Sequence, residues 1–224
     1  MTDIIKKLSE KYQKYFEYLS QKLISEKIIS RGITSPQIID AIKSTPRHEF
    51  VPDNLKTRAY DDCAIEILPE QTISQPYIVA LMIDMLEIEK NHKILEIGTG
   101  TGWQTCILSK LAKEVYSVDI RDTLYNFALE RIKKYSENNV FLKIDDGFYG
   151  WKEKSPFDRI IVSCAAEKTP QPLIEQLSIG GIMIIPVGGQ SYQKLLKIKK
   201  ISENQIESEE GSDVVFVKMK RNEP

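Results

Sequence analysis

The stretch KILEIGTGTGWQT, residues 93–105, decides the fold expected for this chain. Its apolar run ends in three glycines at alternate positions, Gly98, Gly100 and Gly102. In an open parallel sheet, ligands bind beyond the carboxyl ends of the strands, where the first strand-to-helix turn approaches them. Glycines lack Cβ atoms, so they allow unusual dihedrals and let the backbone lie close against a ligand. The stretch therefore predicts a strand, a ligand-binding turn and the start of a helix.

From residue 93 onward, apolar strand-like runs alternate with helical runs. The runs KILEIG, EVYSVDI, RIIVSCAA and IMIIPVG have few polar positions, as expected of strands buried on both faces of a parallel sheet. We predict an α/β fold with a doubly wound, Rossmann-like and mostly parallel sheet. Near the C-terminus, QKLLKIKK and DVVFVKMK alternate apolar with polar residues and flank the charged SENQIESEEGS, which predicts an antiparallel pair at the closing edge.

The N-terminal part of the chain reads as helical. Apolar residues recur at three- and four-residue steps between Ile4 and Leu23, which places them on one face of a helix that packs on the rest of the protein. Ser35 and Pro36 can start a second helix that runs to about Lys43. At 224 residues we expect one domain, 1–224, with an N-terminal helical segment over 1–50 and the substrate-binding loop and core over 51–224.

The amino-acid composition limits the classes of partner that we expect the protein to bind. Lys plus Arg total 31 against 32 for Asp plus Glu, so the attraction that a nucleic acid needs is missing. Cys63, Cys106 and Cys164 form no Cys-x-x-Cys pair and only two histidines accompany them, so we expect no metal site. No secretory signal and no spanning helix is apparent, which favours a cytoplasmic protein without a membrane partner.

The spacing of the glycines separates two kinds of nucleotide site. A dinucleotide fingerprint would place its third glycine at position 103, which is Trp103. Gly-x-Gly-x-Gly with Glu96 two residues before it is similar to the pattern of S-adenosylmethionine-dependent methyltransferases. The turn alone is a weak signal, but acidic residues at neighbouring strand ends strengthen it.

Two further acids follow the next two strands. Asp119 ends the strand after the glycine turn, where an acceptor can hold both hydroxyls of a ribose. Asp146 follows the third strand and could accept from an adenine amino group, with Gly147 giving the base room. A lone acid at such a position is usually solvated or caps a helix. Three acids at three successive strand ends favour an adenosyl ligand.

A second stretch, PRHEFVPDNLKTRAYDDCAIEILPEQTISQP, residues 46–76, closely resembles the protein-L-isoaspartate O-methyltransferases. The resemblance covers residues 31–220 and centres on QTISQP joined to PRHEFVP. It implies that Gln71, Thr72 and Ile73 help to bind S-adenosylmethionine, which becomes S-adenosylhomocysteine, and that Ser74 contacts the substrate carboxylate. On spacing alone Ser74 could instead be the N-cap of the next helix, and the two roles are compatible.

Two positions depart from the pattern of this family. Its glycine-containing loop before the Gln-Thr-Ile-Ser stretch is replaced by EILPE, where Pro69 is expected to stiffen the segment. The acid after the second strand is often Glu in the family and is Asp119 here, which has a shorter reach to the same hydroxyls. Neither departure removes a residue that the chemistry requires.

The resemblance implies methyl transfer to the α-carboxylate of isoaspartyl residues in damaged proteins and peptides, a repair reaction. A carboxylate is already ionised at neutral pH, so no general base is needed, and His48 is expected to be structural. We expect a monomer that recognises the peptide through its backbone, as an added extended strand. The alternatives are a related methyltransferase acting on RNA or a small molecule, and a protein that binds the adenosyl ligand without catalysis.

Overall fold

A computed structural model describes residues 2–189 and 191–222, with side chains from residue 10 onward. The strands are β1 (Ile65–Leu68), β2 (Gln71–Ile73), β3 (Lys93–Ile97), β4 (Glu114–Asp119), β5 (Val140–Ile144), β6 (Phe157–Val162), β7 (Leu177–Gly188), β8 (Gln193–Ser202) and β9 (Gln205–Val214). The α-helices are α1 (Thr2–Leu23), α2 (Pro36–Lys43), α3 (Pro76–Met85), α4 (Trp103–Leu111), α5 (Tyr125–Tyr135) and α6 (Gln171–Gln176).

Seven strands form one sheet in the order β5-β4-β3-β6-β7-β8-β9, and β1 pairs with β2 in a separate hairpin. The pairings from β5 through β7 are parallel, whereas β7-β8 and β8-β9 are antiparallel. Parallel neighbours need a crossover, and helices α4, α5 and α6 supply these connections. The predicted fold class, including the antiparallel closing edge, is confirmed.

Both faces of the sheet are covered by apolar side chains. Along β3, Ile94 packs into one core cluster together with residues of α2 to α5, whereas Leu95 and Ile97 pack into the opposite cluster with Leu173 of α6. Successive strand residues point to opposite faces, so each face of β3 receives its own layer. The apolar runs without polar alternation follow from this double burial.

The register brings three loops to one edge of the sheet. Ile97 at the end of β3 lies opposite Val118 of β4 and Val162 of β6. Main-chain hydrogen bonds continue just beyond these strand ends. The Gly98 amide donates to the Val118 carbonyl and the Ser163 amide donates to the Ile97 carbonyl, each at 2.8 Å. The glycine turn therefore lies between the loops that follow β4 and β6.

The closing edge differs from its prediction in one strand. The segment expected to be a charged loop forms most of β9, which contains only the first two residues of DVVFVKMK. Across the pair, Lys197 lies opposite Glu209 and Lys199 opposite Glu207. An exposed edge strand needs no apolar alternation, and opposite charges across the ladder stabilise it.

The N-terminal helices agree with their predicted limits but differ in their contacts. Helix α2 runs from Pro36 to Lys43 as predicted, although Ser35 makes no side-chain cap bond. Among residues 10–23 of α1, Phe16 and Leu23 are the buried members of the predicted apolar face, whereas Tyr12 is about half exposed. The side chains of residues 4 and 8 lie outside the described part. Among residues 10–23, the contact with the body of the protein therefore begins at Phe16.

Candidate active site

A cleft opens at the edge where the three loops meet. Its walls are the hairpin segment before α3, the loops after β3, β4 and β6, and the C-terminal stretch. They comprise residues 70–74, 97–101, 118–121, 163–164 and 217–220, with Val79, Trp103, Gln104, Leu124 and Gly147. Most of the predicted site residues therefore lie together, although they come from four separate parts of the chain.

The glycine turn has the backbone conformation that its sequence predicts. Gly98, Gly100 and Gly102 have φ angles of 97°, 53° and 87°. A Cβ atom on Gly102 would lie 3.1 Å from Cγ1 of Ile132 on α5, whereas one on Gly100 would meet no atom within 4 Å. Gly102 is thus required by packing and by its left-handed backbone. Gly100 leaves open space beside the cleft, as a bound ligand requires.

Asp119 lines the cleft and also holds the glycine turn. Its Oδ2 accepts a hydrogen bond of 2.8 Å from the Gly100 amide, and its Oδ1 accepts one of 3.0 Å from the Arg121 amide. Each carboxylate oxygen can accept more than one hydrogen bond, so both retain capacity for hydroxyl donors. The predicted ribose acceptor is therefore oriented by main-chain groups before any ligand binds.

Glu96 lies beneath the turn and does not line the cleft. Its side chain is fully buried, with bonds from Thr105 Oγ1 and Ser117 Oγ at 2.6 Å and from Gln104 Nε2 at 2.9 Å. Burial raises the pKa of Glu96 to about 7, against the opposing effect of these donors. The acid predicted to contact the cofactor instead joins α4 to β4 below the turn, because its partners surround it completely.

The acceptor predicted for adenine is covered by the C-terminal stretch. Asp146 is 2% exposed, and its Oδ2 accepts from Arg221 Nε at 2.9 Å and from the Asn222 amide at 3.2 Å. Its Oδ1 accepts from the Phe148 amide at 3.0 Å. Of the two residues predicted here, only Gly147 lines the cleft. Arg221 thus occupies the carboxylate oxygen that sequence reasoning assigned to a ligand.

The segment before α3 forms the opposite wall. Gln71, Thr72 and Ile73 form β2 and all three line the cleft, as does Ser74. Gln71 Oε1 is buried and accepts no hydrogen bond among the residues that the structure describes, so it is free for a donor on a ligand. The N-cap residue of α3 is Gln75, so Ser74 does not have the capping position that spacing alone allowed.

The turn before β2 shows how this chain replaces the glycine of the family pattern. Glu70, directly after Pro69, has a φ of 60°, the left-handed conformation that glycine favours. Its carboxylate accepts from Lys220 Nζ at 2.5 Å and from Arg121 Nη2 at 3.2 Å. The turn is therefore tied to both neighbouring walls of the cleft.

A second groove continues from the first. Thr72 and Ser74 line both, and the groove then runs between the start of α3 and the stretch that follows β9, lined by residues 64, 75, 78, 191–192 and 213–216. The side chain of Gln193 holds that stretch extended, because its Oε1 accepts from the Phe216 amide at 2.7 Å and its Nε2 donates to the Phe216 carbonyl at 3.2 Å. Val215 is 75% exposed beside it.

His48 lies outside the cleft. Its ring stacks on Phe16 with centroids 4.0 Å apart, and its Nδ1 lies 2.8 Å from the Tyr60 hydroxyl. Burial lowers its pKa, so the ring is neutral at physiological pH. These contacts agree with the structural role expected of it.

Comparison with known proteins assigns the chain to a family. A family model described as protein-L-isoaspartate(D-aspartate) O-methyltransferase matches residues 18–224. The chain belongs to this family. The resemblance noted in the sequence is thereby confirmed, and it makes the protein an S-adenosylmethionine-dependent methyltransferase. The match favours this activity over the RNA, small-molecule and non-catalytic alternatives.

Curated relatives agree over nearly the whole chain. A protein-L-isoaspartate O-methyltransferase from Syntrophus aciditrophicus is 44% identical over 204 residues, which cover 90% of this chain and 94% of the relative. One from Dictyoglomus turgidum is 48% identical over 189 residues, 84% of this chain and 86% of the relative. The shared length includes both the glycine turn and the segment before α3.

Solved structures show the same architecture. A protein-L-isoaspartate O-methyltransferase superposes with a TM-score of 0.78 at 25% identity, over 92% of this chain and 66% of the other. A putative member of the family from Plasmodium falciparum, in complex with S-adenosyl-L-homocysteine, gives a TM-score of 0.76 at 25% identity over 92% of this chain and 98% of the other. Within the described residues, the helices are too short or too polar to cross a membrane.

Proposed function

We propose that this protein transfers the methyl group of S-adenosylmethionine to the α-carboxylate of isoaspartyl residues in damaged proteins and peptides, through the cleft described above. One observation carries the proposal: Ser74 and Thr72 line both the cleft beside the glycine turn and the adjoining groove. A donor held at the turn and a peptide held in the groove would meet at Ser74.

The residues around the cleft fit the cofactor. Gly98 and Gly100 line the cleft, Gly100 has open space beside it, and Asp119 offers two oriented acceptor oxygens, whereas Gly102 is buried and shapes the turn from below. Gln71 adds a buried acceptor without a partner among the described residues. When bound, the cofactor supplies an electrophilic methyl group on its sulfonium.

The remaining predicted contacts have distinct roles in this proposal. Thr72 and Ile73 form the wall beside the donor, and Gly147 lines the proposed adenine end. A Cβ on Gly147 would lie 2.4 Å from Cγ2 of Ile97, so packing against the end of β3 requires glycine there. Asp146 reaches the adenine amino group only after Arg221 moves away from it. Glu96 acts from below, by holding the helix that starts at the glycine turn.

The acceptor requires orientation rather than activation. An α-carboxylate has a pKa near 3.5 and is ionised at neutral pH, so no side chain has to remove a proton. Ser74 would contact that carboxylate through its hydroxyl or its amide. Alignment of this kind is worth roughly 7–11 kcal/mol of the barrier, which makes the positions of the cleft walls the main catalytic contribution of the protein.

The adjoining groove suits a peptide recognised by its backbone. It lies between Thr72 of β2 and the extended stretch that Gln193 holds at Phe216. A chain segment bound between two extended segments can be recognised through main-chain hydrogen bonds, with weak dependence on its side chains. A panel of isoaspartyl peptides with varied neighbours should therefore differ little in kcat/KM, and a thousandfold spread would contradict this mode of recognition.

The experiment that tests the proposal compares paired peptides. Labelled methyl donor is offered with an isoaspartyl peptide and its normal aspartyl twin, and base-labile label is expected on the isoaspartyl peptide alone. Ser74→Ala should bind S-adenosylhomocysteine normally and lose most of its turnover. Ser35→Ala is the matched control, because Ser35 also precedes a proline-started helix but lies away from the cleft. Equal turnover of the two variants would refute a role for Ser74.

The net charge and the cysteines bear on the cellular setting and the partners of the protein. We propose a cytoplasmic monomer that acts without nucleic acid. The net charge of -1 and the exposed free thiol of Cys63 support this setting. Light scattering with size-exclusion chromatography should give a mass near that of one 25.7 kDa chain, and a stable dimer would contradict the proposal.

A further inference from the structure

Arg47 connects the two walls of the cleft from behind. It is 1% exposed, and its Nε donates to the Ala59 carbonyl and its Nη2 to the Ser74 carbonyl, each at 2.8 Å. The guanidinium lies over the ring of Trp103 at 4.4 Å from the centroid. Trp103 in turn donates from Nε1 to the Thr45 carbonyl at 2.9 Å.

These contacts join the segments that the proposed function gives to acceptor and donor. Ser74 lies two residues before Pro76, where α3 begins, and Trp103 directly follows Gly102 of the glycine turn. One planar group thus bonds the main chain at Ser74 and stacks on the first residue of α4. A shift of either wall would have to move this group as well.

Stability alone does not account for an arginine at this position. Within residues 10–189 and 191–222, no carboxylate forms an ion pair with Arg47, and its Nη1 finds no acceptor. Burial lowers the pKa of Arg47 to about 9. Taking a cation out of water without a paired anion is costly, and the two bonds to main-chain carbonyls and the contact with the Trp103 ring offset part of that cost.

We propose that Arg47 is a positioning residue, which fixes Ser74 relative to the glycine turn so that the acceptor carboxylate and the methyl donor are aligned. The inference rests on the proposed function of the cleft. A misplacement of about 1 Å can lower turnover about 100-fold, so a residue that sets the separation of the walls has a large effect without touching either substrate.

Lysine cannot reproduce these contacts. The guanidinium presents donors in a fixed planar fork and stacks on aromatic rings, whereas an ammonium is a point charge on a flexible stem. Arg47→Lys keeps the charge but cannot bond both carbonyls while covering the Trp103 ring. Arg47→Met keeps apolar volume against that ring and removes the buried charge.

The test compares these variants with a matched change elsewhere. Arg159 is also nearly buried and donates to the main-chain carbonyls of Glu87 and Asp158, but neither partner lines the cleft, whereas Ser74 and Trp103 do. For Arg47→Lys, Arg47→Met and Arg159→Lys we would measure kcat, KM for the isoaspartyl peptide, the Kd of S-adenosylhomocysteine and the free energy of unfolding. Wild-type activity in the same assay tests the proposed function independently.

We expect both Arg47 variants to lose roughly 10- to 100-fold in kcat while the Kd of S-adenosylhomocysteine stays within about threefold. Arg159→Lys should keep kcat within about twofold, whatever its effect on the free energy of unfolding. Wild-type kcat in a folded Arg47 variant would overturn the inference. So would failure of both Arg47 variants to fold under conditions where Arg159→Lys folds, because Arg47 would then be required for stability.

Discussion

Replacing Glu96 with glutamine should remove a pH dependence from the stability of the protein. Burial raises the pKa of this carboxyl from 4.5 to about 7 in the folded state. A carboxyl with a raised pKa stabilises the fold below its unfolded pKa, and this stabilisation is lost as the pH rises through the folded value. The rise from 4.5 to about 7, at 1.36 kcal/mol for each pH unit, corresponds to a contribution of about 3 kcal/mol to the free energy of unfolding.

The measurement is the free energy of unfolding in urea, for wild type and Glu96→Gln, between about pH 5 and about pH 8.5. The difference between the two proteins cancels the other titrating groups. Relative to the variant, wild type should lose most of that 3 kcal/mol as the pH rises. Ser117→Ala removes a donor that lowers the pKa of Glu96 in the folded state, so in this variant the loss of stability should extend to a higher pH.

Glu96→Gln also tests whether Glu96 contacts the ligand directly or acts from below the glycine turn. Glutamine keeps the shape of the side chain, and the hydroxyls of Thr105 and Ser117 can rotate to accept from its amide. The Kd of S-adenosylhomocysteine should stay within about threefold of wild type. A direct bond from a ligand to the carboxylate would instead make the Kd roughly 10- to 100-fold weaker. That result, or a stability difference that is flat with pH, would refute the reasoning.

Two further substitutions and one chemical modification test other contacts in the structure. Gly102→Ala places a Cβ at a φ of 87° and 3.1 Å from the side chain of Ile132. Denaturation should show a free energy of unfolding lower by about 1–3 kcal/mol, and wild-type stability would contradict this packing. Arg221→Ala frees Asp146 from an ion pair whose arginine is 40% exposed. Calorimetry should then show S-adenosylhomocysteine binding about two- to fivefold tighter, and weaker binding would contradict the idea that Arg221 competes with the ligand for Asp146. Burial raises the thiol pKa of Cys106 to about 12. Near pH 8 a thiol reagent should therefore modify the exposed Cys63 quickly and Cys106 only after unfolding, and rapid reaction of Cys106 in the folded protein would contradict this burial.

The parts of the fold that could be predicted depend on local rules. An apolar run followed by Gly98, Gly100 and Gly102 predicts a strand and a turn with positive φ angles, because glycine adopts them without strain. The parallel sheet then places Asp119 beside that turn. The charged edge strand β9 could not be predicted, because one exposed edge removes the requirement for apolar alternation.

The parts that could not be predicted depend on contacts between distant residues. Asp146 meets Arg221 across 75 residues of chain, and Arg47 meets Ser74 across 27. No periodicity encodes such pairs. For Glu96 a signal was present in the polar residues Thr105 and Ser117 within apolar runs, since buried polar side chains require partners.

The central claim is that donor and acceptor meet at Ser74, and a crystal structure with S-adenosylhomocysteine and an isoaspartyl peptide tests it most directly. We predict the ribose hydroxyls on Asp119, the sulfur facing Ser74, and the peptide extended in the groove with its α-carboxylate on Ser74. A cleft in which the cofactor product binds elsewhere, or in which the carboxylate lies away from Ser74, would contradict the account.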